Sequence, residues 1–372
     1  MASRFGTALS VTIFGQSHSE AIGCVVEGLP VGLPVDRDAL AAFMARRAPG
    51  GASWATPRKE ADAVRIVSGL NPQGRTCGTP LACLIENTNT RSADYDELRR
   101  VPRPGHADFA AEAKWHGEQD VAGGGHFSGR LTAPLCAAGG IALQELARRG
   151  VRIGAHLLEV AGVSDEPFDA YACDPAASAH LTAQLDALAD GRVFPTLSEE
   201  AGAQMRAAID EARAEQDSVG GVIECVATGM PAGIGGPAYD GIESALARIA
   251  FGIPAVKGLE FGAGFGAARL RGSQNNDPFV TDAAGAPHPL TNNAGGNLGG
   301  ITTGAPVVFR MAIKPTPSIG RAQQSVDVVN GGPATLSVRG RHDPCIAPRA
   351  VPVAEAALAL ALLDSWLAFP MA

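Results

Sequence analysis

Apolar residues recur along the chain with two different periods. Spacings of three and four residues place apolar side chains on one face of a helix. They predict helices at roughly 36 to 47, 132 to 149, 199 to 216, 240 to 251 and 352 to 368. Short runs rich in β-branched residues predict strands near 9 to 14, 22 to 29, 64 to 68, 80 to 86, 220 to 228 and 305 to 313. This mixture predicts an α/β fold of the α+β type, in which helices pack against sheets.

One stretch of the sequence occurs twice in outline. Residues 25 to 33 (VVEGLPVGL) resemble residues 226 to 234 (VATGMPAGI), and a helical pattern follows each. We therefore expect an internal pseudo-repeat of strand, turn and helix, although Gly-x-Pro-x-Gly is also common turn chemistry. The 46 glycines and 26 prolines fall in short clusters and not in one linker, which predicts a single domain over residues 1–372.

Composition and charge exclude several classes of protein. A hydrophobic fraction of 46% is typical of a folded globular chain, and a net charge of −8 argues against a general nucleic-acid binder. Seven scattered cysteines without a CxxC pair suggest neither a zinc site nor a disulfide framework. The start lacks an apolar signal core, and Glu355 and Asp364 interrupt the apolar run at 354 to 369. We expect a packed C-terminal helix, no membrane span and a cytoplasmic location.

Four loops combine glycine with groups that bind anions or move protons; they span 15 to 19, 102 to 108, 123 to 130 and 340 to 345. In the first, His18 follows an apolar strand, where a single histidine is more often structural than catalytic. In the second, His106 stands between Arg103 and Asp108 on a Pro-Gly turn. Such neighbours position an imidazole and adjust its proton affinity, but an incidental ion pair in a structural turn has the same pattern.

The remaining polar loops suggest contacts with a ligand. In the third loop, three glycine amides run into a predicted helix, which suits a phosphate or a flavin edge, or a tight connection without a ligand. Residues 339 to 345 concentrate charge, imidazole and carboxylate before a proline. The glycine-rich segment 292 to 304 lets a flat ligand lie close, and Lys314, Thr316 and Ser318 are suited to hold its phosphate. Without a pattern such as HExxH, we predict no catalytic metal.

Through most of its length the chain resembles the chorismate synthase family. The shared motifs are FGxSH at 14 to 18, RRAPG at 46 to 50, RxExD at 58 to 62, RPGHAD at 103 to 108, the three-glycine loop at 123, AVKG at 255 to 258, LRGSQ at 270 to 274, NAGG at 293 to 296, KP at 314 and GRHDPC at 340 to 345. The resemblance implies a β-α-β sandwich, a homotetramer, and reduced FMN (FMNH2) beside the substrate. It also implies the last step of the shikimate pathway, a 1,4-elimination of phosphate from 5-enolpyruvylshikimate 3-phosphate that gives chorismate without net redox change.

The same resemblance assigns roles to residues of the matching motifs. It implies that the proton-handling residues are His18 and His106, with Asp343 assisting near the flavin. Those implied to contact FMN are His126, Phe127, Ser128, Pro254, Ala255, Gly299, Lys314, Pro315, Thr316, Pro317, Ser318 and Arg341. Those implied to bind the substrate anions or NADPH are Arg46, Arg47 and Arg130, with Arg341 as a further candidate for the anions. Whether NADPH or an external flavin reductase reduces the flavin stays open.

Several positions depart from the commonest family pattern. Gln16 and Ser19 replace Glu and Gly around His18, and Ser53 stands where many members have a second arginine. In the glycine loop, residues 121 to 122 and 126 to 127 replace the usual arginines and serine. Two alternatives follow. One is a flavin reductase or other oxidoreductase that uses the same pocket; the other is a flavin-binding protein that has lost its chemistry, against which the retained His18, His106 and Asp343 argue.

Overall fold

Two five-stranded antiparallel sheets form the outer layers of the protein. The structure is a computed structural model that describes residues 3–49, 54, 60–88, 98–189, 194–282, 284–338 and 343–371. The first sheet has the strand order β1-β2-β3-β5-β4. Its strands are β1 (Arg4–Phe5), β2 (Ser10–Phe14), β3 (Ala21–Glu27), β4 (Arg65–Ser68) and β5 (Leu81–Glu86). The second sheet has the order β7-β6-β8-β14-β9. Its strands are β6 (Arg152–Val160), β7 (Val163–Ser164), β8 (Gly221–Thr228), β9 (Val256–Phe261) and β14 (Val307–Ile313).

Helices fill the space between the two sheets. They are α1 (Arg37–Arg47), α3 (Thr132–Arg148), α6 (Ile242–Ala250) and α8 (Ala347–Ala368). Helix α3 contacts β2, β3 and β5, whereas α8 contacts β6 and β8, and the two helices pack against each other. A Cβ on Gly139 of α3 would lie 2.3 Å from the Cβ of Ala356 on α8, so only glycine permits this approach. The result is the expected sandwich of sheet, helices and sheet.

Helix α8 is buried along most of its length. Its mean hydropathy of 1.5 over 18 residues is high enough to cross a bilayer, but 83% of that window is buried inside the protein. The packed C-terminal helix that we expected is therefore confirmed. It begins at Ala347, earlier than the expected 352, because Pro348 lies in the first turn, where proline fits a helix. Pro352 lies inside the helix and does not start it.

The expected internal pseudo-repeat is confirmed by the topology. The first half runs β2-β3-α1-β4-β5-α3 and the second runs β6-β8-α6-β9-β14-α8, and equivalent strands take equivalent places in their sheets. The turns after β3 and β8 also share their hydrogen bonds. The Thr76 hydroxyl donates to the Pro30 carbonyl over 2.5 Å, and the Thr302 hydroxyl donates to the Pro231 carbonyl over 2.6 Å. Each hydroxyl accepts the amide three residues beyond that proline over 2.9 Å.

The Asp364 carboxylate joins the two ends of the fold. Near the end of α8, it accepts the backbone amides of Thr7, Ala8 and Leu9 over 2.8 to 3.0 Å. These amides directly precede β2, so the first sheet is fastened to the helix that packs on the second. One core of buried apolar residues continues from Leu9 to Leu363.

Helices α4 (Pro175–Ala189) and α5 (Glu199–Ala214) lie beside the second sheet. The sequence predicted α5, but it did not predict α4 or the strands β6 and β9. The remaining short elements are α2 (Asp108–Trp115), α7 (Gly272–Asn275), β10 (Phe279–Thr281), β11 (Pro287–Pro289), β12 (Asn297–Leu298), β13 (Ile301–Thr302), β15 (Gln323–Val326) and β16 (Pro333–Leu336).

A buried histidine lies between two carboxylates on the second sheet. His156 Nδ1 is 3.2 Å from Asp165 Oδ2, and its Nε2 is 3.3 Å from Glu224 Oε2. Glu224 also accepts the Tyr171 hydroxyl and the Phe168 amide. Burial alone would lower the pKa of His156, but hydrogen bonds to Asp165 and Glu224 outweigh it and raise the pKa. The ring therefore joins β6, β8 and the loop before α4, and its raised pKa favours the protonated form.

We predict that His156→Gln destabilises the protein by about 3 kcal/mol below pH ~6.5, because it leaves buried carboxylates without their cation. A raised folded-state pKa gives stability that is complete below the unfolded pKa and is lost as pH rises through the folded one. The difference from wild type should therefore shrink with rising pH in urea unfolding. The control His180→Gln changes an exposed pair with Asp169. A difference that stays constant with pH would contradict the charged-ring interpretation.

Candidate active site

Three of the four polar loops meet beyond the end of β2. The Ser17 amide donates to the Gly125 carbonyl over 3.0 Å, which fixes the loop containing His18 to the three-glycine loop. The Ser128 hydroxyl donates to the Ser17 hydroxyl over 3.3 Å and strengthens the same connection. Of the fourth loop, residues 339–342, which include the predicted Arg341, lie outside the described residues.

The three glycines bring two histidines to one turn. Their φ angles are 63° at Gly123, 85° at Gly124 and 54° at Gly125, a region that side chains disfavour. A Cβ on Gly123 would lie 2.6 Å from Nε2 of His18, and one on Gly124 would lie 3.2 Å from Nε2 of His106. Both Nε2 atoms thus face adjacent residues of a single turn. The glycines are needed for space as well as for conformation.

His106 is held by its own loop. Its Nδ1 lies 2.5 Å from Asp108 Oδ1, and Asp108 also accepts bonds from Arg103 Nε over 2.7 Å and Arg103 Nη2 over 2.8 Å. Arg103 Nη2 lies 3.0 and 3.3 Å from the two ring nitrogens. Burial would raise the pKa of Asp108, but the hydrogen bonds from Arg103 and His106 outweigh it and lower the pKa. The carboxylate is therefore ionised at neutral pH.

The segment Lys314 to Ser318 packs against this loop. Arg103 Nη1 donates to the Ser318 hydroxyl over 3.1 Å. A Cβ on Gly105 would lie 3.6 Å from Pro317 Cβ and 4.0 Å from Lys314 Nζ. Most of the segment predicted to hold a phosphate is thereby placed beside His106.

This segment has the features of an anion site. Burial lowers the pKa of Lys314, and the neighbouring Lys257 lowers it further. Within the described part of the chain neither ammonium forms an ion pair. The Thr316 hydroxyl oxygen is buried there without a hydrogen-bond partner, and buried hydroxyls rarely stay so. The Lys314 amide donates to the carbonyl of Ala255, whose φ of 73° is rare for alanine. A bound phosphate would reduce the repulsion between the ammonium groups of Lys257 and Lys314, and it would accept a hydrogen bond from the Thr316 hydroxyl.

Arginines and carboxylates form a second cluster next to the histidines. The two oxygens of buried Asp62 pair with Arg47 and Arg130. Arg130 Nε also donates to Asn87 Oδ1 over 3.0 Å, and the Asn87 amide group donates to the carbonyl of Ser19 in the His18 loop over 2.8 Å. Burial lowers the pKa of Arg47 to about 10, although Asp62 opposes the shift. Arg47 and Arg130 are thus held in fixed positions before any ligand binds.

Both central helices begin at this arginine cluster. Arg47 Nε donates to the hydroxyl of Thr132, the first residue of α3, over 3.1 Å. Arg349, in the first turn of α8, donates from Nε to the Arg47 carbonyl over 3.1 Å and from Nη1 to Asp343 Oδ2 over 2.6 Å. The predicted Asp343 is therefore tied to the arginine cluster through Arg349. Helix N-termini attract anions, so the helix arrangement also favours a negatively charged ligand.

Two predicted site residues lie away from this centre. The two terminal nitrogens of Arg46, Nη1 and Nη2, each donate to a Glu355 carboxylate oxygen on α8 over 2.7 Å, so this arginine is already in a bidentate pair. Gly299 lies in the hairpin before β14 begins, whereas Lys314 follows the end of β14. The seven residues of β14, which span roughly 20 Å at about 3.3 Å per residue, lie between the two along the chain.

The side chains after the glycine loop have local roles. His126 is exposed, and its Nδ1 donates to the Gly15 carbonyl over 2.7 Å while Nε2 is 2.7 Å from the Ser3 hydroxyl. The Phe127 ring lies 5.7 Å from the Trp115 ring, measured between centroids. His126 therefore anchors the loop that holds His18, and Phe127 packs the glycine loop against the end of α2. In the described ranges no group of three or more His, Cys, Asp or Glu side chains is arranged to hold a metal ion.

Sequence reasoning missed some of the residues that hold the site together. Ser17, Asn87 and Arg349 connect the loops, and no charge pattern marked them. Asn297, two residues before Gly299, was also missed. Its side chain is 3% exposed, and neither of its polar atoms has a hydrogen-bond partner among the described residues. The glycine-rich composition of its segment was the only available signal.

We predict that Gly123→Ala destabilises the protein by at least about 1–2 kcal/mol, the usual cost of a left-handed conformation in a residue with a Cβ. The substitution should also displace His18. Gly129→Ala is the matched control, because a Cβ there meets nothing within 4 Å and its φ is not positive. It should change stability by less than about 0.5 kcal/mol. Equal urea midpoints for the two variants would contradict the proposed crowding at Gly123.

Comparisons with known proteins identify the family of this chain. A profile of the family described as chorismate synthase matches residues 9–367. The chain is 48% identical to the chorismate synthase of Lancefieldella parvula, covering 100% of this chain and 97% of the relative. It is 44% identical to that of Methanosarcina acetivorans, covering 98% and 95%, and 42% identical to that of Korarchaeum cryptofilum, covering 97% and 96%.

A solved structure has the same architecture. It is titled "Crystal Structure of Chorismate Synthase" and superimposes with a TM-score of 0.75 at 26% identity, covering 98% of this chain and 93% of that one. The family match extends over nearly the whole chain, and the fold agrees along the same length. This chain therefore belongs to the chorismate synthase family, which are lyases.

Proposed function

We propose that the chain catalyses the FMN-dependent 1,4-elimination of phosphate from 5-enolpyruvylshikimate 3-phosphate, which gives chorismate and ends the shikimate pathway. The observation that carries the proposal is the pair of Nε2 atoms, on His18 and His106, that face one glycine turn. This pair lies beside an anion-binding segment on one side and a cluster of arginines on the other. An elimination that removes a proton and a phosphate group needs these components.

The residues around Lys314 fit a flavin phosphate. Lys314, Thr316 and Ser318 offer an ammonium and two hydroxyls, and Ala255 supports the backbone of Lys314. By resemblance, Pro254, Pro315, Pro317 and Arg341 complete this contact, and residues 126 to 128 approach from the glycine loop. Reduced FMN, when bound, supplies electron density to the substrate transiently and recovers it. The side chains hold the cofactor and exclude water, which strengthens the electrostatic interactions inside the site.

Arginines suit the substrate, which carries two carboxylates and a phosphate. Guanidinium groups bind such anions bidentately. We assign this role to Arg47 and Arg130, which Asp62 already orients, and to Arg341. Arg46 would contribute only if its bidentate pair with Glu355 opened. Anions held between these arginines and the glycine turn would present the reacting carbons to the two imidazoles.

The proton transfers belong to the two histidines. Each presents Nε2 to the turn, so that one imidazole can accept the proton lost from the ring carbon and the other can donate to the departing phosphate. Asp343 stabilises the arrangement through Arg349.

Assembly and location complete the proposal. Gly299 precedes β14 and Lys314 follows it, so the whole strand lies between them along the chain. We propose that Gly299 contacts the flavin of another copy of the chain, in the homotetramer that the family resemblance implies. The continuous core supports a single domain over residues 1–372. All seven cysteines are free thiols, which supports the cytoplasm. NADPH or an external flavin reductase would keep the flavin reduced.

Anaerobic assay of the protein with chemically reduced FMN and 5-enolpyruvylshikimate 3-phosphate tests the proposal. Chorismate absorbance and phosphate release should rise together, without net oxidation of the flavin. Oxidised FMN should support no turnover. NADPH consumed in equal amount to the product would favour an oxidoreductase. Tight FMN binding without product would favour a flavin-binding protein.

We predict that His106→Ala lowers kcat by roughly 10²–10⁴-fold, the usual contribution of a general acid or base. FMN binding, measured by fluorescence quenching, should change little, because the segment around Lys314 is retained. His180→Ala serves as a control, since this histidine is exposed on α4. A His106→Ala enzyme with wild-type kcat would remove His106 from the mechanism.

A further inference from the structure

We infer that Asp108 is the positioning residue that holds the proton of His106 on Nδ1, so that Nε2 is the nitrogen that exchanges protons with the substrate. This inference deepens the proposed function and rests on it for the role of His106. The position of the ring proton can be observed without turnover. The inference can therefore be tested separately from the proposed function.

The carboxylate is fixed from several sides. The Asp108 side chain is 5% exposed. Its Oδ2 accepts the Arg103 amide over 3.1 Å and Arg103 Nε over 2.7 Å, and its Oδ1 accepts Arg103 Nη2 over 2.8 Å. These donors leave Oδ1 directed at His106 Nδ1, 2.5 Å away. Charge-assisted bonds of this kind are stronger than neutral ones and fix orientation.

An ionised carboxylate accepts hydrogen bonds and cannot donate them. The short contact between Asp108 and Nδ1 therefore requires a proton on Nδ1, in both the neutral and the protonated ring. Only Nε2 then gains or loses a proton. The same atom lies 3.2 Å from where a Gly124 Cβ would stand, so it faces the turn shared with His18. Asp108 thereby determines which edge of the ring reaches the substrate.

Asp108 also begins α2, and a purely structural role would be to hold that helix and the loop before it. Asp108→Asn separates the two roles, because the amide keeps the shape and one acceptor but can donate to Nδ1. Loss of the buried charge would lower stability, as it would at Asp165, but a purely structural role would not move the ring proton of His106. The tautomer would change, because an unprotonated Nδ1 would accept the amide and move the ring proton to Nε2.

The matched control is Asp165→Asn. Asp165 is another buried aspartate beside a histidine Nδ1, that of His156, but it directly follows β7 of the second sheet. Removing its charge should lower stability and leave kcat unchanged. The pair of variants distinguishes loss of a buried ion pair from loss of the correct tautomer.

The test is neutron diffraction from deuterium-exchanged crystals at a pH where the ring is neutral, together with kinetics. We expect deuterium on His106 Nδ1 in wild type and on Nε2 in Asp108→Asn. The variant should bind FMN normally and lose roughly 10²–10⁴-fold in kcat.

Deuterium on Nε2 of the wild-type ring, or full kcat in Asp108→Asn, would overturn the inference. If the wild-type protein makes no chorismate, the proposed function fails by itself, and the neutron map still decides the tautomer. If Asp108→Asn unfolds, the wild-type map gives the same decision.

Discussion

The contact between α3 and α8 is the constraint on which the rest of the structure depends. These helices cross so closely at Gly139 and Ala356 that any side chain on Gly139 would separate them. Each helix carries one sheet on its outer side, so their separation fixes the distance between the sheets. Their first turns both contact Arg47, so the same packing positions the arginine cluster. Burial of these apolar faces supplies the main driving force.

The pairing of charge explains how two buried arginines can lie side by side in a stable protein. Two arginines brought together in the interior would repel each other and lose hydration. Asp62 lies between Arg47 and Arg130 and offsets both effects, while Glu60 lies 3.4 Å from Arg130. The two guanidinium groups are therefore oriented in advance, and a ligand need not order them. Lys257 and Lys314 lack such a partner within the described residues, and this leaves their charge for an anion.

The sequence was sufficient for elements whose side chains repeat with a clear period. The predicted helices α3 and α5 match the structure within two residues at each end. Strand β6 was not predicted because it is largely buried on both faces and contains Arg152 and His156, so its residues do not alternate simply between apolar and polar. Strand β9 was not predicted because Lys257 and Gly258 interrupt its apolar pattern, and its pairing with the neighbouring β14 is visible only in the structure.

For the site, the sequence motifs identified His18 and His106, but only the positive φ angles of the glycines show why the two rings lie at the same turn. Arg46 and Arg47 are adjacent in sequence and point to different partners, which no motif reveals.

The bond network of Asp364 has a consequence for the order of the chain. This carboxylate binds the residues just before β2 to the end of α8, so the beginning of the first half lies next to the end of the second. In such an arrangement the contacts of the folded state do not depend on which half comes first in the chain. A gene rearranged to begin at the second half, with a short linker across the Asp364 junction, would encode the same set of contacts. The contacts of the folded protein therefore do not require the two halves to stand in their present order along the chain.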